Sequence, residues 1–252
     1  MNGENAGRSP IIRADGIGRR FKRRWALKDV YIAVEAGEIF GLVGPDGAGK
    51  TTLLQILAAI LDPTEGSCEV FGFDTARDAP TITSRIGYMA QGFTLYDQLT
   101  VDENIAFAAK IRGVRGEEYR SRRAELLEIA NLGRFLGRRE GRLSGGMRKK
   151  LALCANLIHE PELLLLDEPG LGVDPLSRAE LWAMLKRYRA RGTTVVFTTS
   201  YMDEAEACDR VAILNEGRIV AVGAPGDLLE ALRDRVYQVS AADAVGVRAF
   251  LD

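Results

Sequence analysis

Gly44-Pro45-Asp46-Gly47-Ala48-Gly49-Lys50-Thr51-Thr52 fits the spacing G-x-x-x-x-G-K-[ST], and each residue type has a task in holding a polyphosphate. Glycines let the backbone turn its N–H groups inward around phosphate oxygens. Lys50 brings a positive point charge to the β- and γ-phosphates. The Thr51 hydroxyl is a ligand for Mg²⁺. Further along, the apolar run Leu163-Leu164-Leu165-Leu166 delivers two adjacent carboxylates, Asp167 and Glu168, ahead of Pro169. Gln91 follows the strand-like Ile86-Gly87-Tyr88-Met89-Ala90, and Leu143-Ser144-Gly145-Gly146-Met147 stands in the context RLSGGMRKKLAL.

These groups need a scaffold, and the chain supplies its pattern. The phosphate loop joins the apolar run Glu38 to Val43 to a helical spacing at Leu53, Leu54, Ile56, Leu57, Ile60 and Leu61, so strand, loop and helix follow one another. The helix dipole then adds to the anion site. Asp62-Pro63 and Glu65-Gly66 end that helix in a turn. Tyr31 to Val34 is a short strand, and Glu35-Ala36-Gly37 reads as a hairpin turn into the next. From Thr94 to Ile158 helix formers and arginine dominate, with an amphipathic spacing over Glu117 to Leu132. Strands at Leu163 to Leu166 and Thr194 to Thr199 then alternate with a helix at Arg178 to Arg189. A hairpin follows, Val211 to Leu214 with Ile219 to Val222, about Asn215-Glu216-Gly217-Arg218. A helix starts at Asp227 to Leu232. Alternation of this kind predicts an α/β fold with a mainly parallel sheet covered on both faces.

Composition narrows the function classes. The 252 residues are 46% hydrophobic and 27% charged with a formal net charge of -1, so the global balance favours no polyanionic partner such as nucleic acid. Cys68, Cys154 and Cys208 have no paired spacing and suit a reducing compartment rather than a disulfide framework or zinc site. No run approaches the roughly 18 apolar residues of a membrane span. Membrane work would need other subunits. The basic run Arg138, Arg139, Arg142, Arg148, Lys149 and Lys150 reads as a solvated helical face. No N-K-x-D guanine-reading motif accompanies the phosphate loop.

In order and spacing, the phosphate loop, Gln91, the LSGGM segment and LLLLDEP resemble the Walker A, Q-loop, signature and Walker B of the ABC transporter ATP-binding cassettes. The likeness runs from about Ile12 to Leu232. It implies a P-loop NTPase core with an N-terminal antiparallel β subdomain and a helical subdomain inserted at about 92–160. A C-terminal tail, 233–252, is expected to be cut from a longer chain. The resemblance also assigns roles. ATP and Mg²⁺ are the expected ligands, with Thr51, Gln91 and Asp167 at the metal. Glu168 is expected to act as general base, and Gln91 to contact the attacking water and couple the site to a membrane subunit. Phe21 is expected to stack on adenine, with Trp25 as a rival. Gly172-Val173-Asp174 resembles the D-loop, with Asp174 reaching the opposite protomer. The signature residues Leu143, Ser144, Gly145, Gly146 and Met147 serve the ATP of a second cassette, head to tail. Cycles of cassette closing and opening would drive ABC-2 type permease subunits, with the chain peripheral at the cytoplasmic face of the membrane.

The sequence departs from the family pattern at one telling place. The strand after the Walker B helix usually ends in a histidine that contacts the γ-phosphate, and here Ser200 occupies that position. The single histidine, His159, lies before Glu160-Pro161 and reads as structural. Serine offers one hydrogen bond and little reach, so the site is expected to bind ATP and turn it over poorly. Asp46 in GPDGAGKTT, DEPGLGVDP and TSYMDEAE together resemble the first cassette of tandem-cassette ABC-2 multidrug exporter ATPases. That likeness implies a second cassette in the same polypeptide.

Overall fold

A computed structural model describes residues 10–92 and 95–230. The expected tail at 233–252 and the end of the helix begun at Asp227 lie outside the described residues. In chain order the elements are β1 (Ile12–Phe21), β2 (Arg24–Val34), β3 (Ile39–Val43), α1 (Lys50–Leu57), β4 (Glu65–Val70), β5 (Phe73–Asp74), α2 (Ala79–Arg85) and β6 (Ile86–Met89). Then come α3 (Val101–Ile111), α4 (Gly116–Ile129), α5 (Gly145–Leu157), β7 (Leu163–Asp167), α6 (Pro175–Ala190) and β8 (Thr194–Thr199). The last are α7 (Met202–Ala205), β9 (Arg210–Asn215), β10 (Arg218–Gly223) and α8 (Pro225–Glu230).

The strands form two sheets. A six-stranded sheet runs β10-β9-β3-β8-β7-β6, parallel throughout except at β10, and an antiparallel four-stranded sheet runs β2-β1-β4-β5. The alternation along β7 shows why the larger sheet must be covered twice. Leu163 and Leu165 pack with α1 residues and the smaller sheet, whereas Leu164 and Leu166 pack with residues of α3, α5 and α6. All four are fully buried; each removes apolar area worth about 1.5–3 kcal/mol from water.

Glu35-Ala36-Gly37 is not a hairpin turn. β2 and β3 belong to different sheets, and β3 runs between β8 and β9. Every residue of β3 is buried, the mark of a central parallel strand rather than half of a hairpin. α1 stops at Leu57, short of the apolar spacing that continues to Leu61, and Ile60 stands 56% exposed. Glu65-Gly66 opens β4 instead of serving only as a turn.

Between β6 and β7 the chain is largely helical. α3 begins with a reciprocal cap: the Glu103 N–H donates to Thr100 Oγ1 and the Thr100 N–H to Glu103 Oε2. Buried Asn104 secures the approach to α3. Its Nδ2 donates to the Tyr96 carbonyl at 3.1 Å, and its Oδ1 accepts from the Tyr96 N–H at 3.0 Å. α4 buries Leu126 and Leu127 within the predicted amphipathic stretch.

Candidate functional site

The parallel register brings the carboxyl ends of β3, β7 and β8 to one edge, where open α/β sheets bind ligands. Val43 pairs with Thr199, and Asp167 pairs with Thr198. The backbone N–H of Gly44 then donates to the Thr199 carbonyl at 3.2 Å, fixing the start of the phosphate loop against β8. Two glycines have no substitute. A Cβ on Gly44 would lie 2.1 Å from the Leu214 carbonyl oxygen, and Gly49 caps α1 at φ 106° with a virtual Cβ 2.6 Å from the Ala26 carbonyl. The β9–β10 turn closes the other side: the Gly217 N–H donates to the Ala48 carbonyl at 2.9 Å, and the Lys28 N–H to the Gly217 carbonyl at 2.8 Å.

Within this frame the reactive side chains converge. Lys50 is 5% exposed, and its Nζ donates to the Gly44 and Pro45 carbonyls at 2.8 and 3.1 Å. The ammonium stands 3.5 Å from Glu168 Oε1 and 3.9 Å from Asp46 Oδ1. The Thr51 hydroxyl donates to Asp167, 2.8 Å from its Oδ2. Gln91 Nε2 donates to Glu168 Oε2 at 2.8 Å. Thr198 was not foreseen: its hydroxyl donates to Asp167 Oδ1 at 2.6 Å and accepts the Glu168 N–H at 2.9 Å. Glu168 itself sits at φ 47°, in the left-handed region.

Lys50, Thr51, Gln91 and Glu168 border a cavity of about 990 Å³, with Asp167 tied to it through Thr51. Its walls are Pro45 to Thr52, Gln91 and Glu168, the β2 side chains Arg24, Trp25, Ala26 and Lys28 with the adjoining Arg23, and the turn Asn215-Glu216-Gly217. That volume suits a small molecule the size of a nucleotide. Glycine backbone, a buried ammonium and the positive end of α1 suit a polyphosphate. Thr51 and Asp167 set a hydroxyl beside a carboxylate, the hard oxygen donors that Mg²⁺ takes.

The aromatic wall differs from expectation. Trp25 lines the cavity and Phe21 does not, among the described residues. Phe21 ends β1, 45% exposed, with the Arg19 guanidinium 4.8 Å from its ring centroid. Ser200 follows β8 at the same sheet edge as Asp167, exposed and outside the lining of the cavity.

Leu143 to Met147 and Asp174 form a separate cluster. Ser144 caps α5 by accepting the Met147 N–H, and Asp174 caps α6 by accepting the Ser177 N–H. A Cβ on Gly146 would meet Ser177 Oγ at 2.3 Å and Asp174 Oδ2 at 3.2 Å, so signature and D-loop lie against each other. Ser144, Gly145 and Asp174 are exposed.

The basic run is not wholly a solvated face. Lys149 and Lys150 are buried. Lys150 Nζ donates to Glu180 Oε2 at 2.7 Å. Lys149 Nζ donates to the carbonyl oxygens of Gln91 and Glu168 at 3.2 and 3.3 Å. Burial lowers the Lys149 pKa, and the charges of Asp167 and Glu168 oppose that. Beyond the cavity, Glu204 accepts from Thr199 Oγ1 at 2.5 Å, and burial raises its carboxyl pKa. The three cysteines are free and buried, their thiols pushed up to about 12 by desolvation, which disfavours the reactive thiolate.

Comparison with known proteins gives a consistent result. A family model described as ABC transporter matches residues 27–170. The probable multidrug ABC transporter ATP-binding protein YbhF of Escherichia coli K12 is 44% identical over 229 residues, covering 90% of this chain; the chain spans only 40% of that relative's length. The daunorubicin/doxorubicin resistance ATP-binding protein DrrA of Streptomyces peucetius is 36% identical, with coverage of 92% of this chain and 71% of the relative. Among solved structures, an ATP binding subunit of an ABC transporter superposes with a TM-score of 0.81 at 29% identity, covering 90% of this chain and 95% of its own. The cassette MJ0796, solved as a post-hydrolysis dimer bound to ADP and Pi, superposes at 0.78 with 28% identity, over 85% of this chain and 98% of its own.

Proposed function

The chain belongs to the ABC transporter family, and from that membership we propose that it binds ATP with Mg²⁺ and hydrolyses it to power export through separate transmembrane subunits. One observation carries the reading: Lys50, Thr51, Gln91, Asp167 and Glu168 meet at one sheet edge beside a nucleotide-sized cavity. Mg²⁺, when bound, supplies Lewis-acid stabilisation of phosphate charge. Thr51 and Asp167 would hold it. Lys50 neutralises the terminal phosphates. Gln91 orients the attacking water, whose oxygen bonds to the γ-phosphorus as the bond to the bridging oxygen breaks. Its proton passes to Glu168, and ADP and phosphate remain.

The cavity lining lacks the signature residues of this chain, which stand in a separate cluster where Ser144, Gly145 and Asp174 are exposed. A second cassette therefore contributes its signature here and receives Ser144 to Met147 in return. The 40% span of the multidrug relative leaves length for that second cassette in one polypeptide. Drug-resistance relatives support export as the direction, and ABC-2 type permeases are the partners this reading takes. From family membership we place the cassette peripherally, at the cytoplasmic face of the membrane; among the described residues no helix is long and apolar enough to cross a membrane.

Titration with ATP and Mg²⁺, followed by phosphate release, tests the proposal. ATP binding that is lost in Lys50→Ala, with release that follows the binding, supports it. Failure of the parent chain to bind ATP overturns it.

A second reading is favoured by Ser200, exposed and outside the cavity lining where the family pattern sets an imidazole. In it, the chain is a catalytically weakened cassette that binds ATP mainly to complete its partner's site. Glu168→Gln made in this chain alone separates the two. Unchanged turnover of the assembled pair supports the regulatory role, and its loss excludes that role.

A further inference from the structure

We infer that Lys149 is a positioning residue that clamps Gln91 and Glu168 together by their backbone carbonyls. The inference rests on the ATP-hydrolysis reading of the site. Gln91 and Glu168 are 77 residues apart in sequence and reach the cavity from the ends of β6 and β7. The hydrogen-bonded register between those strands ends at Met89 and Leu166. Gln91 and Glu168 each lie two residues beyond that last pair, where no ladder holds them in step. The Lys149 ammonium bridges this gap, with Nζ at 3.2 Å from the Gln91 carbonyl and 3.3 Å from that of Glu168. Their side chains meet on the cavity side through the 2.8 Å bond from Gln91 Nε2 to Glu168 Oε2. The pair is thus tied twice, once by its side chains and once by its backbones.

Several features argue that this contact is built rather than incidental. Lys149 is 6% exposed, and a buried ammonium is costly unless its protons are shared out. It sits on α5, whose neighbouring residues Leu151, Leu153 and Cys154 are core, so a methionine would fit the packing. What a methionine lacks is the two donor contacts and the positive charge near Asp167 and Glu168, and the neutral donor glutamine separates these. Glu168, moreover, occupies a left-handed backbone conformation, φ 47°, which a non-glycine residue holds only where its surroundings impose it. A donor on its carbonyl is such a constraint.

The test compares Lys149→Met, Lys149→Arg and Lys149→Gln with the parent chain. Each is assayed for ATP affinity, kcat, KM, thermal midpoint and hydrogen exchange of peptides spanning 86–92 and 164–171. The methionine variant is expected to lose about 100-fold in kcat, as small misplacements of reacting groups do, with ATP affinity and KM close to the parent's. Arginine, which also reaches two carbonyls, restores most of the loss. Glutamine, with two N–H donors but no charge and a shorter reach, falls between and serves in place of methionine if that variant does not fold. A methionine variant with full kcat overturns the inference, as does an arginine variant as impaired as the methionine one. If the parent itself does not turn over, the hydrolysis reading is what fails, and the exchange data decide the clamp. Faster exchange at both peptides with unchanged ATP affinity upholds it, and unchanged exchange overturns it.

Discussion

The Glu168 carboxylate is held from two sides, its Oε2 accepting from Gln91 Nε2 at 2.8 Å and its Oε1 standing 3.5 Å from Lys50 Nζ. Glu168→Gln keeps the shape and removes the base. Turnover is expected to fall about 10²–10⁴-fold, the range for a lost general base. ATP affinity holds or improves, because Lys50 loses a competing carboxylate. Phosphate release and calorimetric titration check the two halves separately, and a variant that still turns over at the parent rate removes Glu168 from the base role.

Trp25 and Trp182 are the two tryptophans. Trp25 lines the cavity, whereas Trp182 packs edge-on to Phe197 at 5.0 Å. ATP is expected to change the emission of Trp25 in a Trp182→Phe variant and to leave a Trp25→Phe variant silent. Trp25→Ala and Phe21→Ala should both weaken ATP binding, the former more, since base–aromatic stacking is worth about 1–3 kcal/mol and Trp25 is already at the wall. Equal, undiminished affinities would remove both rings from adenine recognition.

Ser200 follows β8 at the edge where the phosphate loop begins. Ser200→His restores an imidazole there, and phosphate release by the assembled pair is expected to rise about tenfold for each 1.4 kcal/mol of recovered transition-state stabilisation. Ser200→Ala should match the parent. Brisk release by the parent with no gain from histidine would mean that Glu168 suffices.

His159 Nε2–H donates to the Ile86 carbonyl, 3.1 Å away, and burial beside Arg112 and Arg122 lowers its pKa to about 4. The unfolded chain therefore binds this proton more readily than the folded one. Its contribution is intact above pH about 6.5 and declines as pH falls toward 4, by at most about 1.4 kcal/mol per unit. Denaturation midpoints across that window should flatten in His159→Gln, which keeps a donor for Ile86. An unaltered slope would show that carboxylates alone set the acid sensitivity.

The phosphate loop and LLLLDEP were legible because their chemistry fixes residue type and spacing together, and because β3 and β7 are short apolar runs. β1 was not. Its alternation of Ile12 and Ala14 is broken by register shifts after Ala14, with Gly16 at φ 62°, so its inward period does not persist. β4 turns only Cys68 and Val70 inward, too few for a pattern. The turn residues Glu35-Ala36-Gly37 suggest a hairpin because turn chemistry is local and cannot say that the next strand joins another sheet. Lys149 and Lys150 were hidden by their charge. A lysine in sequence carries no sign of whether its ammonium ends in water or on a pair of carbonyls. Thr198 lay in plain view, one of three threonines in the wholly buried β8, where a buried polar group must have a partner.

The left-handed backbone of Glu168 sets two pressures against each other. A non-glycine residue there costs about 1–3 kcal/mol relative to relaxed backbone, a sizeable share of what holds a domain folded. Glycine at 168 would release that cost. A laboratory selection for heat resistance alone, blind to turnover, would drift toward losing this carboxylate. Its retention is a toll on robustness that only a demand for catalysis would keep in place.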